Sequence, residues 1–127
     1  MVLFYEYRRD LATANYEYRR MRRSTTPASL FGIRLRAARE HANLPQDRLG
    51  ADIGIDESCA SARISRYETG VHQPPYALAQ KLATALKVPT AYLYCEDDDL
   101  AALILKWGTL GRRKRQRLQE AMKSLAD

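Results

Sequence analysis

Proline and glycine divide this sequence into short segments, and this punctuation constrains the fold more than any other feature. Within the segments the apolar residues recur every three or four positions, which is helical spacing. No window alternates apolar and polar residues as a half-buried strand does. The pattern therefore predicts an all-α fold from about residue 28 onward. The dividing residues are Pro27, Gly54, Gly70, Pro74, Pro75, Pro89, Gly108 and Gly111.

Five short helices are predicted between residues 29 and 94. Asp56 has the side chain of an N-cap, and Asn43, Gly54 and Gly70 stand where helices end. The predicted ranges are Ser29–His41, Gln46–Ile53, Asp56–Glu68, Pro75–Leu86 and Pro89–Tyr94. The residues expected to face the core are Phe31, Leu35, Ala38, Ala42, Leu49, Ile53, Ala60, Ile64, Tyr67, Leu78, Leu82, Ala85 and Leu86.

Two more helices are predicted after the acidic run Glu96–Asp99, and together they are expected to form a helical hairpin. The first carries an apolar stripe of Leu100, Leu103, Ile104 and Trp107. The second follows the basic run Arg112–Arg117 and repeats the spacing with Leu118, Ala121, Met122 and Leu125. This is more apolar surface than a lone hairpin can hide. The stripe is expected to pack on the fifth helix, on a second chain, or on both.

Residues 1–26 stand apart from the rest of the chain. The sequence Tyr-Glu-Tyr-Arg-Arg occurs at Tyr5–Arg9 and again at Tyr16–Arg20, eleven residues later. Eleven residues make about three helical turns, so the two copies would share one face of a helix. An amphipathic helix docking on the body or on a second subunit is predicted, with a frayed arm or an extended segment as alternatives. The chain thus divides into residues 1–26, a core over 27–95, and a C-terminal hairpin over 96–127.

The charge of the chain indicates a polyanionic partner. Lysine and arginine number 21 against 15 acidic residues, for a net charge of +6, and 16 of the 21 are arginine. Arginine binds phosphate and guanine through two parallel hydrogen bonds. Ribosomal, membrane-surface and merely soluble proteins share such a charge, so it points to nucleic acid only together with a suitable fold.

The predicted second and third helices have the arrangement that a helix-turn-helix requires. They are short, they are joined by a turn that contains Gly54, and Tyr67-Glu68-Thr69-Gly70 follows. In that motif the second helix enters the major groove of DNA while the first lies across the phosphates.

At this point the sequence resembles the lambda-repressor-like (Cro-like, XRE-type) helix-turn-helix regulators. The resemblance covers about half of the chain and keeps the order of the family's pieces. The resemblance implies a fold with a five-helix DNA-binding core. The matching pieces are Ile33–Glu40, Leu44–Gln46, Ile64–Gly70 and Leu82–Pro89.

The resemblance implies that one face of the third helix reads base edges. That face would consist of Ser61, Ala62, Ser65 and Arg66. Arg66 is placed for a guanine, and Ala62 is placed for the methyl group of a thymine. The alternative for the three small residues is that they are ordinary exposed positions.

The resemblance also implies contacts to the DNA backbone and one internal ion pair. Gln46 and Gln73 correspond to phosphate-binding positions, and Arg63 lies where it would contact a phosphate or a base. Arg39 and Glu68 match a partly buried pair that ties the first helix to the third. The alternative for Arg39 is a solvent-facing arginine.

The sequence departs from the family pattern in three places. About four extra residues, Glu57–Ala60, precede the base-reading face, and they either lengthen the third helix or widen the turn before it. Pro45 replaces the usual side-chain N-cap, which Asp47 is expected to compensate in part. Residues 1–26 lie outside the family's minimal module, and their arginines form either a DNA-tracking arm or a solvated basic face.

Other chemistry is not indicated. No catalytic set, phosphate-binding glycine loop or metal-ligand cluster is present, so neither an enzyme, a cofactor nor a metal is expected. Cys59 and Cys95 are expected to be reduced thiols. The longest apolar run, Leu100–Leu105, is too short to span a membrane, and a cytoplasmic location is expected.

The predicted function is sequence-specific binding to duplex DNA as a homodimeric regulator, a repressor on a palindromic operator. Leu100, Leu103, Trp107, Leu118 and Met122 are the dimer-interface candidates. One alternative is an antitoxin that binds a small toxin protein and regulates its own operon. Another is a ligand-sensing regulator, for which the chain has no room for a separate sensor domain.

Overall fold

The first helix, α1 (Leu30–His41), begins at Leu30 because the side chain of Ser29 caps it. The Ser29 hydroxyl accepts a hydrogen bond from the backbone N–H of Gly32 at 2.9 Å. The helix ends as the chain passes into Asn43, whose φ of 55° is left-handed, as predicted.

The structure, a computed structural model, describes residues 29–125. The predictions for residues 1–26 concern residues outside that range.

Within residues 29–125 every regular element is a helix and there is no strand, so the all-α fold is confirmed. None of these helices is long and apolar enough to cross a membrane. The helices are α1 (Leu30–His41), α2 (Gln46–Asp52), α3 (Ala60–Thr69), α4 (Tyr76–Leu86), a 3₁₀ helix (Thr90–Tyr94), α5 (Asp98–Thr109) and α6 (Arg112–Ser124).

The core lies where α1, α2 and α3 pack together and meet α4 and the 3₁₀ helix. Most of the residues predicted to face inward are buried there. Two of them, Leu78 and Ala85, are only half-buried, and Ala42 is exposed because it lies past the end of α1. On α4 the face turned to the core is centred instead on Ala79, Leu82, Ala83 and Leu86.

One predicted helix boundary is wrong because of local hydrogen bonding, and one predicted helix is of the 3₁₀ type. Asp56 does not cap the third helix, because its carboxylate is bonded to Ser58 in the preceding turn, and α3 starts after Cys59. The segment predicted as Pro89–Tyr94 is a 3₁₀ helix over Thr90–Tyr94.

Pro45 precedes α2 without a side-chain cap, as expected. The carboxylate of Asp47 accepts from the backbone N–H of Arg48 at 2.9 Å, and this bond replaces one that an N-cap side chain would have accepted.

A buried arginine fixes the start of the C-terminal helices on the core. Arg34, on α1, is 2% exposed, and its guanidinium donates to the carbonyl oxygen of Cys95 through Nε at 3.0 Å and Nη2 at 2.9 Å. Nη2 also lies 2.9 Å from a carboxylate oxygen of Asp98, in the first turn of α5. Asp97 caps α5 by accepting from the N–H of Leu100. These bonds hold the beginning of α5 against α1.

Within residues 29–125, the apolar stripes predicted on α5 and α6 are largely uncovered. The core-facing residues of α5 are Ala101 and Leu105, whereas Leu100 and Leu103 are exposed, and Ile104 and Trp107 are half-buried. On α6 no described side chain is buried. The two helices follow each other where predicted, but α6 does not cover the stripe of α5.

Candidate nucleic-acid interface

Helices α2 and α3 cross closely because the residues at their crossing are small. A Cβ atom added to Gly50 of α2 would lie 2.6 Å from the Cβ of Ala60, the first residue of α3. Leu49 and Ile64 are fully buried beside this contact. The close approach sets the position of α3 relative to α2.

The turn between the two helices contains the extra residues of this chain. Gly54 has a φ of 90°, and the N–H of Ile55 returns to the carbonyl oxygen of Gly50 at 2.9 Å. Asp56 then accepts from the N–H and the hydroxyl of Ser58 at 2.9 and 2.6 Å. These bonds to Ser58 lower the pKa of the Asp56 carboxyl below its usual value. The insertion therefore widens the turn and leaves α3 ten residues long.

One face of α3 is directed away from the core. Ala60, Ile64 and Tyr67 are buried, and helical geometry places Ala62, Arg66 and Thr69 on the opposite side. These three residues are exposed, and Ser65 beside them is half-buried. Because Ala62 and Thr69 are small, a partner can approach this face closely, and Arg66 offers it a guanidinium group.

A buried carboxylate joins three helices at the far end of α3. Glu68 accepts from Nε of Arg39 at 2.6 Å and from the side-chain amide of Gln46 at 2.7 Å. Arg39 also donates to the carbonyl oxygen of Leu44 at 2.9 Å. The structure thus brings Arg39 and Glu68 together and adds Gln46 to them. Because Glu68 is neutralised by Arg39, α3 ends without an unpaired buried charge.

Backbone contact with α1 completes the attachment of α3. A Cβ atom at Gly32 would overlap the carbonyl oxygen of Glu68 and lie 2.6 Å from that of Tyr67. Only glycine lets α1 pass this close to the end of α3. The helix is consequently held at its start by Gly50 and at its end by Gly32 and Glu68.

The comparisons with known proteins agree with this geometry. A family model described as a helix-turn-helix domain matches residues 30–93. This chain belongs to the helix-turn-helix family. Its α2 and α3 are the two helices of the motif, and the lambda-repressor-like resemblance is confirmed. A helix-turn-helix regulator of this type binds DNA.

A solved structure resembles the helix-turn-helix chain over most of its length. The crystal structure of the transcriptional regulator BswR is 43% identical and has a TM-score of 0.71. The match covers 73% of this chain and 92% of that one. No curated protein sequence matched.

The remaining predicted site residues of the helix-turn-helix lie around α3. Ser61 faces α2, where its hydroxyl donates to the side-chain oxygen of Gln46 at 3.3 Å. Arg63 lies on the other flank and donates to the hydroxyl of Tyr67 at 3.2 Å. Gln73 is exposed in the segment after Gly70. Ser61 is therefore directed toward the α2 side of the motif, away from the centre of the outward face.

Thr69 is a residue of this face that the sequence analysis did not single out. Its spacing from Ala62, Ser65 and Arg66 is i+7, i+4 and i+3, so helical periodicity alone would have found it. Its hydroxyl donates to the carbonyl oxygen of Ser65 at 2.9 Å, which leaves the oxygen lone pairs able to accept.

Among residues 29–125, no group of three or more histidine, cysteine or acidic side chains lies close enough to hold an ion. Cys59 is partly exposed and Cys95 is buried, and both are free thiols.

Proposed function

We propose that this chain binds duplex DNA sequence-specifically and represses transcription as a homodimer on a palindromic operator. The observation that carries the proposal is the outward face of α3. Ala62, Arg66 and Thr69 are exposed, while the helix beneath them is fixed by Gly50 and Glu68. A helix held in this way presents its face to a major groove without first having to be ordered.

Base recognition is assigned to the centre of this face. Arg66 is exposed, and its guanidinium carries the paired donors that match the O6 and N7 atoms of a guanine. Ala62, one turn earlier, offers a methyl group to a thymine methyl. Ser65 and Thr69 lie on the same face, and their hydroxyl oxygens accept hydrogen bonds from bases. Ser61 is assigned to the edge of the contact because it faces α2.

Backbone contacts are assigned to Gln46, Arg63 and Gln73, which border the base-reading face. Gln46 is the best supported of the three. One N–H of its side-chain amide donates a hydrogen bond to Glu68. The second N–H of the same amide donates to a phosphate oxygen of the DNA. The bond to Glu68 fixes the direction of that second N–H before DNA arrives.

A homodimer is proposed because a single helix reads too few base pairs for a specific site. Two copies related by a two-fold axis bind half-sites about 34–36 Å apart, or multiples of that distance. We assign repression because a dimer on its operator blocks other proteins from the same DNA without needing an activating surface. The uncovered stripes on α5 and α6 are proposed as the pairing surface, with the cytoplasm as the compartment.

The test is selection from a pool of random duplex DNA, followed by affinity measurements over a range of salt concentrations. The proposal predicts a palindromic consensus and a steep loss of affinity as salt rises, since arginines displace counterions from the phosphates. Equal affinity for every sequence would contradict base readout. Co-purification of the chain in a fixed complex with a small neighbouring-gene product would favour the antitoxin function instead.

A further inference from the structure

Helix α6 needs a partner that residues 29–125 of its own chain do not provide. It has 13 residues, and all described side chains on it are exposed except Arg115, which is half-buried. Isolated helices of this length are only marginally stable in water. One side of α6 carries Leu118, Ala121 and Met122, Leu125 follows at its C-terminal end, and this side is what an adjoining surface would cover.

Helix α5 has an apolar face of the matching kind. Its core-facing side is formed by Ala101 and Leu105, and a second side carries Leu100, Leu103 and the half-buried Trp107. Leu103 is 61% exposed. Two apolar sides on one helix indicate two contacts, of which the described part of the chain makes only the first.

The connection between α5 and α6 does not fold α6 back onto α5. Leu110 (φ −83°, ψ 137°) and Gly111 (φ −72°, ψ 171°) are both extended, and α5 and α6 are not among the described helices that pack along each other. Arg115 secures this arrangement. Its Nε donates to the carbonyl oxygen of Trp107 at 3.1 Å, and its guanidinium lies 5.1 Å from the centre of the indole ring.

Charge decides which surfaces pair. Residues 112–125 contain six basic residues and one acidic residue, a balance of 6 − 1 = +5. At the start of α5, Glu96, Asp97 and Asp99 are exposed, while Asp98 is paired with Arg34. Two α6 helices packed against each other would bring like charges together, whereas α6 against α5 brings opposite charges together.

We propose that two copies of this chain exchange their last helices, so that α6 of each copy packs on the outward stripe of α5 in the other. This rests on the homodimer of the proposed function and specifies its interface. A two-fold axis makes the exchange reciprocal, with two identical contacts that together cover both stripes. The hydrophobic side of α6 meets Leu100, Leu103 and Trp107, and its basic residues lie near the acidic start of α5.

The test uses two charge variants, Leu103→Glu on α5 and Met122→Lys on α6. Both side chains are more than half exposed, at 61% and 62%, so neither change disturbs the core. Sedimentation velocity should find the wild-type chain dimeric and each variant alone monomeric at the same concentration, because each variant has a charge in both of its contacts. Far-UV circular dichroism should find all three equally helical.

Mixing the two variants in equal amounts tests whether α6 of one copy meets α5 of the other. In a mixed dimer one contact is entirely wild type, and the other opposes Glu at position 103 to Lys at position 122. The exchange therefore predicts that the dimer returns in the mixture. A mixture that stays monomeric overturns the proposal. Pairing of α5 with α5 would instead leave Met122→Lys dimeric on its own, and pairing of α6 with α6 would leave Leu103→Glu dimeric on its own.

Control variants carry the same charges outside the stripes. Lys106→Glu on α5 and Gln116→Lys on α6 change exposed residues and should leave the dimer intact. A monomeric wild-type chain, or Leu103→Glu and Met122→Lys variants that remain dimeric, would also overturn the exchange. The result is separate from DNA readout, because no residue of α3 belongs to either stripe and sedimentation requires no DNA.

Discussion

The side-chain amide of Gln46 donates to a carboxylate oxygen of Glu68 across 2.7 Å, and so joins the first residue of α2 to the last turn of α3. The same carboxylate accepts from Arg39 of α1 at 2.6 Å. A residue assigned to a phosphate and the helix assigned to the bases are thus fixed to one buried group. The proposed phosphate contact and the proposed base-reading face are coupled through it.

Replacing Glu68 by glutamine should destabilise the fold by about 3 kcal/mol, because Arg39 would keep its charge in a buried site without a carboxylate. Urea unfolding measures this difference. The matched control is Glu40→Gln, which removes the exposed carboxylate that pairs with Arg36 at 2.9 Å and should cost under about 1 kcal/mol. Equal losses of unfolding free energy for the two variants would contradict a stabilising role of the Arg39–Glu68 pair.

Replacing Gly50 by alanine should separate α2 from α3. The new Cβ would lie 2.6 Å from that of Ala60, and relieving the overlap should cost about 1–3 kcal/mol of unfolding free energy. Gly111→Ala is the control, since nothing lies within 4 Å of a Cβ there. Thermal unfolding compares the two. If Gly50→Ala is as stable as Gly111→Ala, the close crossing is not a feature of the protein.

The pKa of Asp56 reports on the widened turn. Hydrogen bonds from the side chain and backbone of Ser58 lower this pKa below 3.8. The pKa of Asp56 is lower in the folded protein than in the unfolded chain. The ionised carboxylate therefore stabilises the turn at any pH above the unfolded pKa. This stabilisation is lost as the pH falls through the folded pKa. NMR titration of the Asp56 carboxyl carbon should show Ser58→Ala raising the pKa toward 3.8. The control variant Ser61→Ala should leave it unchanged.

Replacing Gln46 by alanine should weaken binding to all DNA sequences alike. The lost contact is a hydrogen bond to a charged phosphate oxygen, so Kd should rise roughly 10-fold per half-site for specific and nonspecific duplexes. Fluorescence anisotropy measures the Kd for both kinds of duplex. Because Gln46→Ala also loses the internal hydrogen bond to Glu68, the measurement is made well below the unfolding temperature of the variant. Gln80→Ala, an exposed change on α4 outside the proposed interface, should bind as the wild type does. A change in base preference for Gln46→Ala would contradict a phosphate role.

Helix positions followed from the sequence because their signals are local. Serine before α1, glycine after α3 and proline before α4 each act on the backbone within one turn, so the predicted ends are within a few residues of the observed ones. Asp56 misled the prediction because the same side chain suits an N-cap and a tight turn. Only the neighbouring Ser58, which captures the carboxylate, decides between the two.

Apart from the Arg39–Glu68 pair, which the family resemblance implied, the long-range contacts do not follow from the sequence. Arg34 was part of a family piece, but nothing near it indicated that its guanidinium would be buried against Cys95 and Asp98, more than 60 positions later. The bond between Gln46 and Glu68 was missed for the same reason. In the predicted interface, Ala62 and Arg66 lie on the outward face, and Ser61 turns toward α2, which the sequence spacing alone does not reveal.

The most direct measurement of the central proposal is methylation interference on the selected DNA site. Dimethyl sulfate methylates N7 of guanine in the major groove, so a guanine read by Arg66 becomes a poor ligand once it is methylated. We predict interference at one such guanine in each half-site for the wild-type chain, and loss of it in Arg66→Ala, with about 1–3 kcal/mol less discrimination at that base pair. The same guanines interfering in both proteins, or interference confined to the minor groove, would contradict the placement of α3 in the major groove.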